Sequence, residues 1–203
     1  LPIYPFCRGR IFDVVEKDCG QYDTVTEVMW VTGAALFIRL ADYREVGGLD
    51  GHFFAHMEEI DLCWRLRSRG KKLVCIPQSV VYHVGGATLK KENPRKTFLN
   101  FRNNLLMLYK NLPDKELEHV LFIRGILDRV AALVFYLKKD RANARAVMQA
   151  RREFEDIRYS FAASRIENMM KSTDEIIPER THFSIVMKYY LLGKKHFSQL
   201  KLF

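Results

Sequence analysis

The chain has 203 residues, 48% of them hydrophobic, and it carries a formal net charge of +9. A hydrophobic share of this size can fill a core and excludes an intrinsically disordered chain. The positive charge is uneven, because residues 138–203 contain 14 lysines and arginines against 8 acidic residues, and this part should favour an anionic partner.

The four cysteines, Cys7, Cys19, Cys63 and Cys75, form no C-x-x-C pair. This spacing excludes zinc-ribbon and redox-motif proteins and favours a cytosolic protein with free thiols. The chain begins with Leu1 and lacks the apolar segment of a signal peptide, so we expect it to begin inside a longer protein.

The first predicted elements are a loop, a strand and a short helix. Prolines and glycines scattered over the first 25 residues indicate a loop. The apolar run Val28–Leu40 is typical of a strand buried on both faces. Residues 41–48 predict a short helix that ends at paired glycines.

A second helix is predicted within His56–Gly70, with Glu58, Glu59 and Asp61 in its first turn. Carboxylates there stabilise the helix through its dipole, by roughly 0.3–1 kcal/mol each, and need no catalytic role. Three carboxylates behind a loop rich in Phe and His are also compatible with a chemical site. The sequence around this motif is needed to distinguish a structural helix start from a chemical site.

Two short strands, "KLVCIP" and "SVVYHV", follow this helix, and the second contains His83 next to a pair of glycines. A histidine at a strand end is usually structural, but near three carboxylates it becomes a candidate metal ligand.

The chain is predicted to be helical from Pro94 almost to its end, with breaks near Asp114, Arg141 and Pro178. We therefore divide it into an α/β part, residues 1–112, and a basic all-helical extension, residues 113–203.

Two segments of the extension bear on membrane binding. Val120–Leu137 is apolar but interrupted by three charged residues, so we expect it to pack on protein or to lie in the interface plane. Residues 183–203 predict a basic helix, suited either to a membrane surface or to core packing. Aromatic residues do not alternate with Lys and Arg on any predicted sheet, which argues against nucleic-acid binding.

Four motifs occur in an order and at a spacing that resemble the second half of a bacterial family 2 glycosyltransferase of the GT-A fold, with rhamnosyltransferase-like enzymes as the nearest relatives. The resemblance spans Arg8 to Pro113, and the motifs are "WVTGAALFIR", "GGLDGHFFAHMEEIDLCWRLRSRG", "IPQSVVYHVGGAT" and "FRNNLLMLYKNLP". It implies an α/β fold with part of a Rossmann-like sheet, flanking helices and an all-helical C-terminal region.

The resemblance also implies roles for named residues. In such enzymes an acidic pair opens the helix that faces the acceptor, and its second carboxylate is the catalytic base. Here the pair is Glu58 and Glu59, so Glu59 takes that role, with Asp61 as the alternative. His83 matches the histidine that completes the coordination of a divalent metal, Mg²⁺ or Mn²⁺.

The resemblance further implies that Gly33 and Ala34 line a pocket for the donor sugar and that Trp30 lies close to this pocket. The Asp-x-Asp motif that holds metal and nucleotide in this family is absent from the sequence. We therefore expect the nucleotide-binding half, with most of the metal ligands, to lie outside this chain, and the fragment alone to be inactive.

The expected activity is inverting transfer of a sugar from a nucleotide-sugar donor to a glycan or lipid-linked acceptor in surface polysaccharide synthesis. We expect it in the cytoplasm, peripheral to the inner membrane, with pairing of two copies through an exposed sheet edge. The alternative is a non-catalytic basic helical module that binds an anionic membrane surface or a partner protein. A hydrolase that uses a metal at His83 is a further alternative, supported by a single histidine.

Overall fold

The computed structural model describes residues 4–83, 93–173, 176–181 and 183–202. It contains four short strands and six α-helices in these ranges. In chain order they are β1 (Arg10–Ile11), β2 (Val14–Val15), β3 (Thr26–Glu27), α1 (Leu40–Glu45), α2 (Glu58–Ser68), β4 (Val74–Cys75), α3 (Pro94–Asn111), α4 (Asp114–Leu137), α5 (Arg141–Ile157) and α6 (Ala162–Met170).

The strands form two small antiparallel sheets. β1 pairs with β2, and β3 pairs with β4 so that Thr26 lies opposite Cys75. The mixture of helices and small sheets agrees with the predicted α/β class. A parallel Rossmann-like sheet is not found among the described residues, whose two sheets have two strands each.

The predicted buried strand Val28–Leu40 is wrong. Its middle, Gly33–Ala35, forms a 3₁₀ turn that Thr32 caps, and the side chain of Phe37 is 91% exposed. Glycine and alanine offer little side chain to bury, and among the described residues only Val28 at the start of the segment continues the pairing of β3 with β4, through a bond of 2.9 Å to the carbonyl oxygen of Leu73.

Of the two strands predicted after α2, only the first is present, as β4. Residues 79–83 are not a strand, and Tyr82 is 96% exposed. Val84 and the glycines after it lie outside the described residues.

The two helices predicted before residue 70 are confirmed. α1 ends before Gly47 and Gly48, which both adopt positive φ, and Gly70, with φ +75°, follows the end of α2. Glycine adopts this left-handed conformation without the steric cost of a Cβ atom, so it ends helices readily.

The predicted helices after residue 93 are also confirmed as far as α5. Asn93 caps the first turn of α3, Pro94 occupies its first position, and α4 and α5 begin at the predicted breaks. α3 packs mainly against α5, and α5 also packs against α4. The main hydrophobic core includes Phe53 and Trp64 together with Phe154, so it extends across residue 112. The proposed boundary at that residue stays a prediction.

Charged residues of the apolar helix α4 are paired inside the fold. Asp128 accepts a bond from Tyr4 and forms ion pairs of 2.9 Å with Arg124 and Arg151. Burial raises the pKa of Tyr4 to about 12, although the charge of Arg124 opposes this effect. Within the described ranges, no helix is long and apolar enough to cross a membrane.

The predicted C-terminal helix over residues 183–203 is wrong. The segment has a π-helical turn at Met187–Leu191 and a 3₁₀ turn at Phe197–Leu200, separated by Gly193 with φ +65°. It packs on the start of the chain, where Phe6 lies 6.2 Å from the ring centroids of both Phe183 and Phe197. All four cysteines are free, as expected from their spacing.

Candidate active site

The acidic start of α2 follows a loop with an unusual backbone. Phe54, His56 and Met57 all have positive φ, between 63° and 74°. Such angles cost non-glycine residues of order 1–3 kcal/mol each and persist only where the surrounding structure enforces them. The position of Glu58 and Glu59 therefore depends on what holds this loop.

Asn103 of α3 is the residue that holds the loop. Its amide nitrogen donates to the carbonyl oxygens of Phe53, Ala55 and His56, each at 2.8 Å, and the side chain is fully buried. Arg102 adds a bond of 3.0 Å to the carbonyl oxygen of His52. The motif "FRNN" thus fixes the approach to the acidic helix.

Glu59 is half-buried and lines a cavity of about 200 Å³ together with Trp30, His56 and Asn100. Its Oε2 atom is buried and has no hydrogen-bond partner among the described residues. Burial raises the pKa of this carboxyl group above its ordinary value, and the negative charge of Glu58 adds to the effect. A carboxylate with a raised pKa and a free oxygen is suited to accept a proton.

Two further polar groups beside Glu59 are buried without a partner among the described residues: Glu58 Oε2 and His56 Nε2. Burial lowers the pKa of His56, and the positive charge of Lys96 lowers it further against the opposing effect of Glu58. The imidazole is therefore neutral near pH 7 and can exchange hydrogen bonds with a hydroxyl group. His56 was not among the residues predicted for the site, although it lies only two residues before Glu58.

Asp61 has a different environment from the acidic pair. It is 0% exposed, and its carboxylate binds Arg65, Lys110 at 2.9 Å and Asn111 at 2.7 Å. Lys110 also binds Asp50 at 2.8 Å, which ties the loop before α2 to α3. This arrangement favours a structural role for Asp61, because all its oxygens already have partners inside the core.

Two of the three predicted donor-side residues, Gly33 and Trp30, lie close to Glu59. A Cβ atom added at Gly33 would lie 3.8 Å from Cβ of Glu59. Trp30 lines both the cavity of Glu59 and a larger, mostly apolar cleft of about 900 Å³. Ala34 lies beside Gly33 in the 3₁₀ turn and is exposed.

His83 is exposed and is the last described residue before the gap at 84–92. No group of three or more His, Cys, Asp or Glu side chains in the described ranges is arranged to hold a metal ion. The residues present here therefore do not fit a complete metal site, and the role of His83 stays a prediction.

Comparison with known proteins gives three informative relatives. The rhamnosyltransferase WbbL of Escherichia coli is 33% identical over 40% of this chain and 30% of its own length. The pre-mycofactocin glycosyltransferase of Mycobacterium tuberculosis is 31% identical over 69% of this chain and 32% of its own length. The N-acetylglucosaminyl-diphospho-decaprenol L-rhamnosyltransferase of the same species is 38% identical over 28% of this chain and 18% of its own length.

The chain thus spans about a third or less of the length of these curated relatives. No protein-family profile matches the chain, and no solved structure matches it. The curated proteins to which this chain is similar are glycosyltransferases, and this similarity supports a glycosyltransferase family for it.

Proposed function

We propose that this chain is the acceptor-side part of an inverting family 2 glycosyltransferase with a GT-A fold. Its donor would be a nucleotide sugar and its acceptor a glycan or lipid-linked saccharide of surface polysaccharide synthesis, handled at the cytoplasmic face of the membrane. The names of the relatives support the transferase class. The single observation that carries the proposed mechanism is the buried, unpartnered Oε2 of Glu59 beside the cavity.

Glu59 acts as the catalytic base in this proposal. The acceptor hydroxyl gives its proton to Oε2 while its oxygen attacks the anomeric carbon of the donor sugar. The bond between that carbon and the phosphate oxygen breaks, and the nucleoside diphosphate leaves with the electron pair. A single displacement of this kind inverts the anomeric centre.

The neighbouring residues of the cavity have supporting roles in this proposal. Gly33 leaves room for the donor sugar next to Glu59, and Trp30 offers an aromatic face to a sugar ring. Burial keeps the pKa of Glu59 high, and the negative charge of Glu58 adds to this effect. Asp61 is assigned to the core instead, because Arg65, Lys110 and Asn111 occupy its oxygens.

We propose that nucleotide binding and most divalent-metal ligands belong to residues outside this chain. No described cluster could hold the metal, and the chain covers only a minor share of its relatives. The 203 residues alone should then neither transfer sugar nor bind a nucleotide. Calorimetry with a panel of nucleotide sugars and Mn²⁺ tests this expectation, and micromolar binding would contradict it.

The catalytic role is tested by Glu59→Gln in the full-length transferase. The amide cannot take the proton, so turnover should fall by about 10²–10⁴-fold, while donor binding stays close to that of the wild type. Glu118→Gln, at an exposed position on α4, is the matched control and should leave turnover unchanged. Unchanged turnover of Glu59→Gln would reject the assignment.

A further inference from the structure

Helix α4 has an apolar face that no part of the described chain covers. Five large side chains along it are 50–70% exposed: Phe122, Ile126, Val130, Leu133 and Leu137. Their spacing of three or four residues places them on one side of the helix. At 1.5 Å per residue this apolar stripe is about 22 Å long.

The stripe lies opposite the buried face of the same helix. Leu117, Val120 and Leu121 belong to the hydrophobic core, while Arg124 and Asp128 are buried in the ion-pair network. α4 is therefore apolar on its outer face for a reason other than packing within the described fold. Exposed apolar surfaces of this kind mark contacts with a membrane or with another protein.

The charges around the stripe distinguish between these two kinds of contact. Residues 122–145 contain six basic and two acidic residues. The charged residues among them that belong to the exposed class are all positive: Arg129, Lys138, Lys139, Arg141 and Arg145.

The two acidic residues of this region leave its exposed surface with an excess of positive charge. Asp128 is buried between Arg124 and Arg151, and Asp140 caps α5 by accepting bonds from Asn143. Glu118, one turn before Phe122, is an exposed acidic residue at the N-terminal end of the stripe, so the cationic border is concentrated from Arg129 onward. An apolar stripe with a cationic border over most of its length matches a bilayer that carries anionic headgroups.

We propose that the outer face of α4 docks on an anionic lipid surface, with the stripe in the acyl–headgroup boundary and the basic residues against lipid phosphates. α4 then lies parallel to the bilayer plane. Lys138 and Lys139, just past its last turn, bind headgroups beside the end of the stripe. This contact is independent of the proposed catalytic role of Glu59, so each can fail without the other.

The test is co-sedimentation of the 203-residue chain with vesicles. The wild type should bind vesicles made of equal parts phosphatidylcholine and phosphatidylglycerol, bind pure phosphatidylcholine vesicles more weakly, and be released in part by added salt. The triple variant Phe122→Gln, Ile126→Gln and Leu133→Gln should bind the mixed vesicles at least about tenfold more weakly.

The matched control makes the same change on α6. Ile166→Gln with Met170→Gln replaces two residues that are also exposed and should leave vesicle binding unchanged. The double change Lys138→Gln and Lys139→Gln should weaken binding and reduce its dependence on salt. Circular dichroism of each variant verifies that the helices are intact.

A second measurement does not depend on multiple substitutions. Lipids brominated in their acyl chains should quench the fluorescence of an indole introduced by Val130→Trp more strongly than that of the native Trp30 and Trp64. Equal quenching, no vesicle binding by the wild type, or wild-type binding by the triple variant would each overturn the proposal. A dimer that the triple substitution dissociates, without vesicle binding, would overturn it in favour of a second copy of the chain.

Discussion

The role of Asn103 can be tested by the substitution Asn103→Leu, which keeps the number and branching of the side-chain heavy atoms and removes the amide. Three carbonyl oxygens, those of Phe53, Ala55 and His56, then lose their donor. A hydrogen bond of this kind contributes about 1 kcal/mol net, and a buried acceptor left unpaired costs more. Relaxation of the left-handed loop recovers part of this loss, so we expect the free energy of unfolding to fall by about 3 kcal/mol.

Urea denaturation followed by circular dichroism measures this change, and the m value should stay constant. Gln149→Leu, an amide-to-leucine change at an exposed position of α5, is the control and should change stability by less than about 0.5 kcal/mol. A variant Asn103→Leu as stable as this control would refute the idea that the amide holds the loop.

The same variant also tests the coupling between the loop and Glu59. Displacement of the loop opens the cavity to water, so the raised pKa of Glu59 should return toward its ordinary value. Nuclear magnetic resonance titration of ¹³C-labelled glutamate measures this pKa directly and does not require activity. An unchanged pKa would show that Glu59 is positioned by α2 alone.

Three further predictions concern stability. Lys110→Met leaves Asp61 and Asp50 without their shared cation and should cost about 3–5 kcal/mol in chemical denaturation, whereas a loss below 1 kcal/mol, on the order of a surface pair, would contradict this. Burial raises the pKa of Asp50, but Lys110 and His52 lower it to about 2 overall. The resulting stability of about 2 kcal/mol should be fully present above about pH 4 and be lost as the pH falls toward 2, and Asp50→Asn should remove this part of the acid-unfolding slope. Phe154→Ala in the main core should cost about 3–5 kcal/mol by the same denaturation assay, and a smaller loss would mean that α5 is loosely packed on α3.

Local signals predicted the helices well because their ends are set by neighbouring residues. Asn93 and Pro94 start α3, and Gly70 follows α2, all through short-range backbone effects. The strand prediction for Val28–Leu40 failed because strand formation needs a partner strand, which hydropathy alone does not reveal. The prediction of a C-terminal helix was wrong for a related reason, because Phe197 is buried by contacts with residues near the start of the chain.

The sequence predicted residues of the candidate site that the structure places close together, but not the distant backbone contacts that position them. Glu59 and Gly33 were selected from separate motifs, and the structure brings them together. Asn103 was missed because its partners are backbone carbonyls at least 47 residues earlier. His56 was missed because its position in the cavity of Glu59 follows from the fold of the loop before α2. The quoted motif "FRNN" contained the signal, but nothing in its sequence indicates which carbonyls it binds.

Residues 183–202 pack on residues 4–22, and this contact reaches the cavity of Glu59. Phe6 lines the cavity of Glu59, and its other neighbours include Phe183 and Phe197. Ser198 additionally donates to Glu16, which fastens the two ends of the chain together. A substitution that moves Phe183 or Phe197 should therefore change the shape of the cavity of Glu59 through Phe6, without any change in the acidic motif itself.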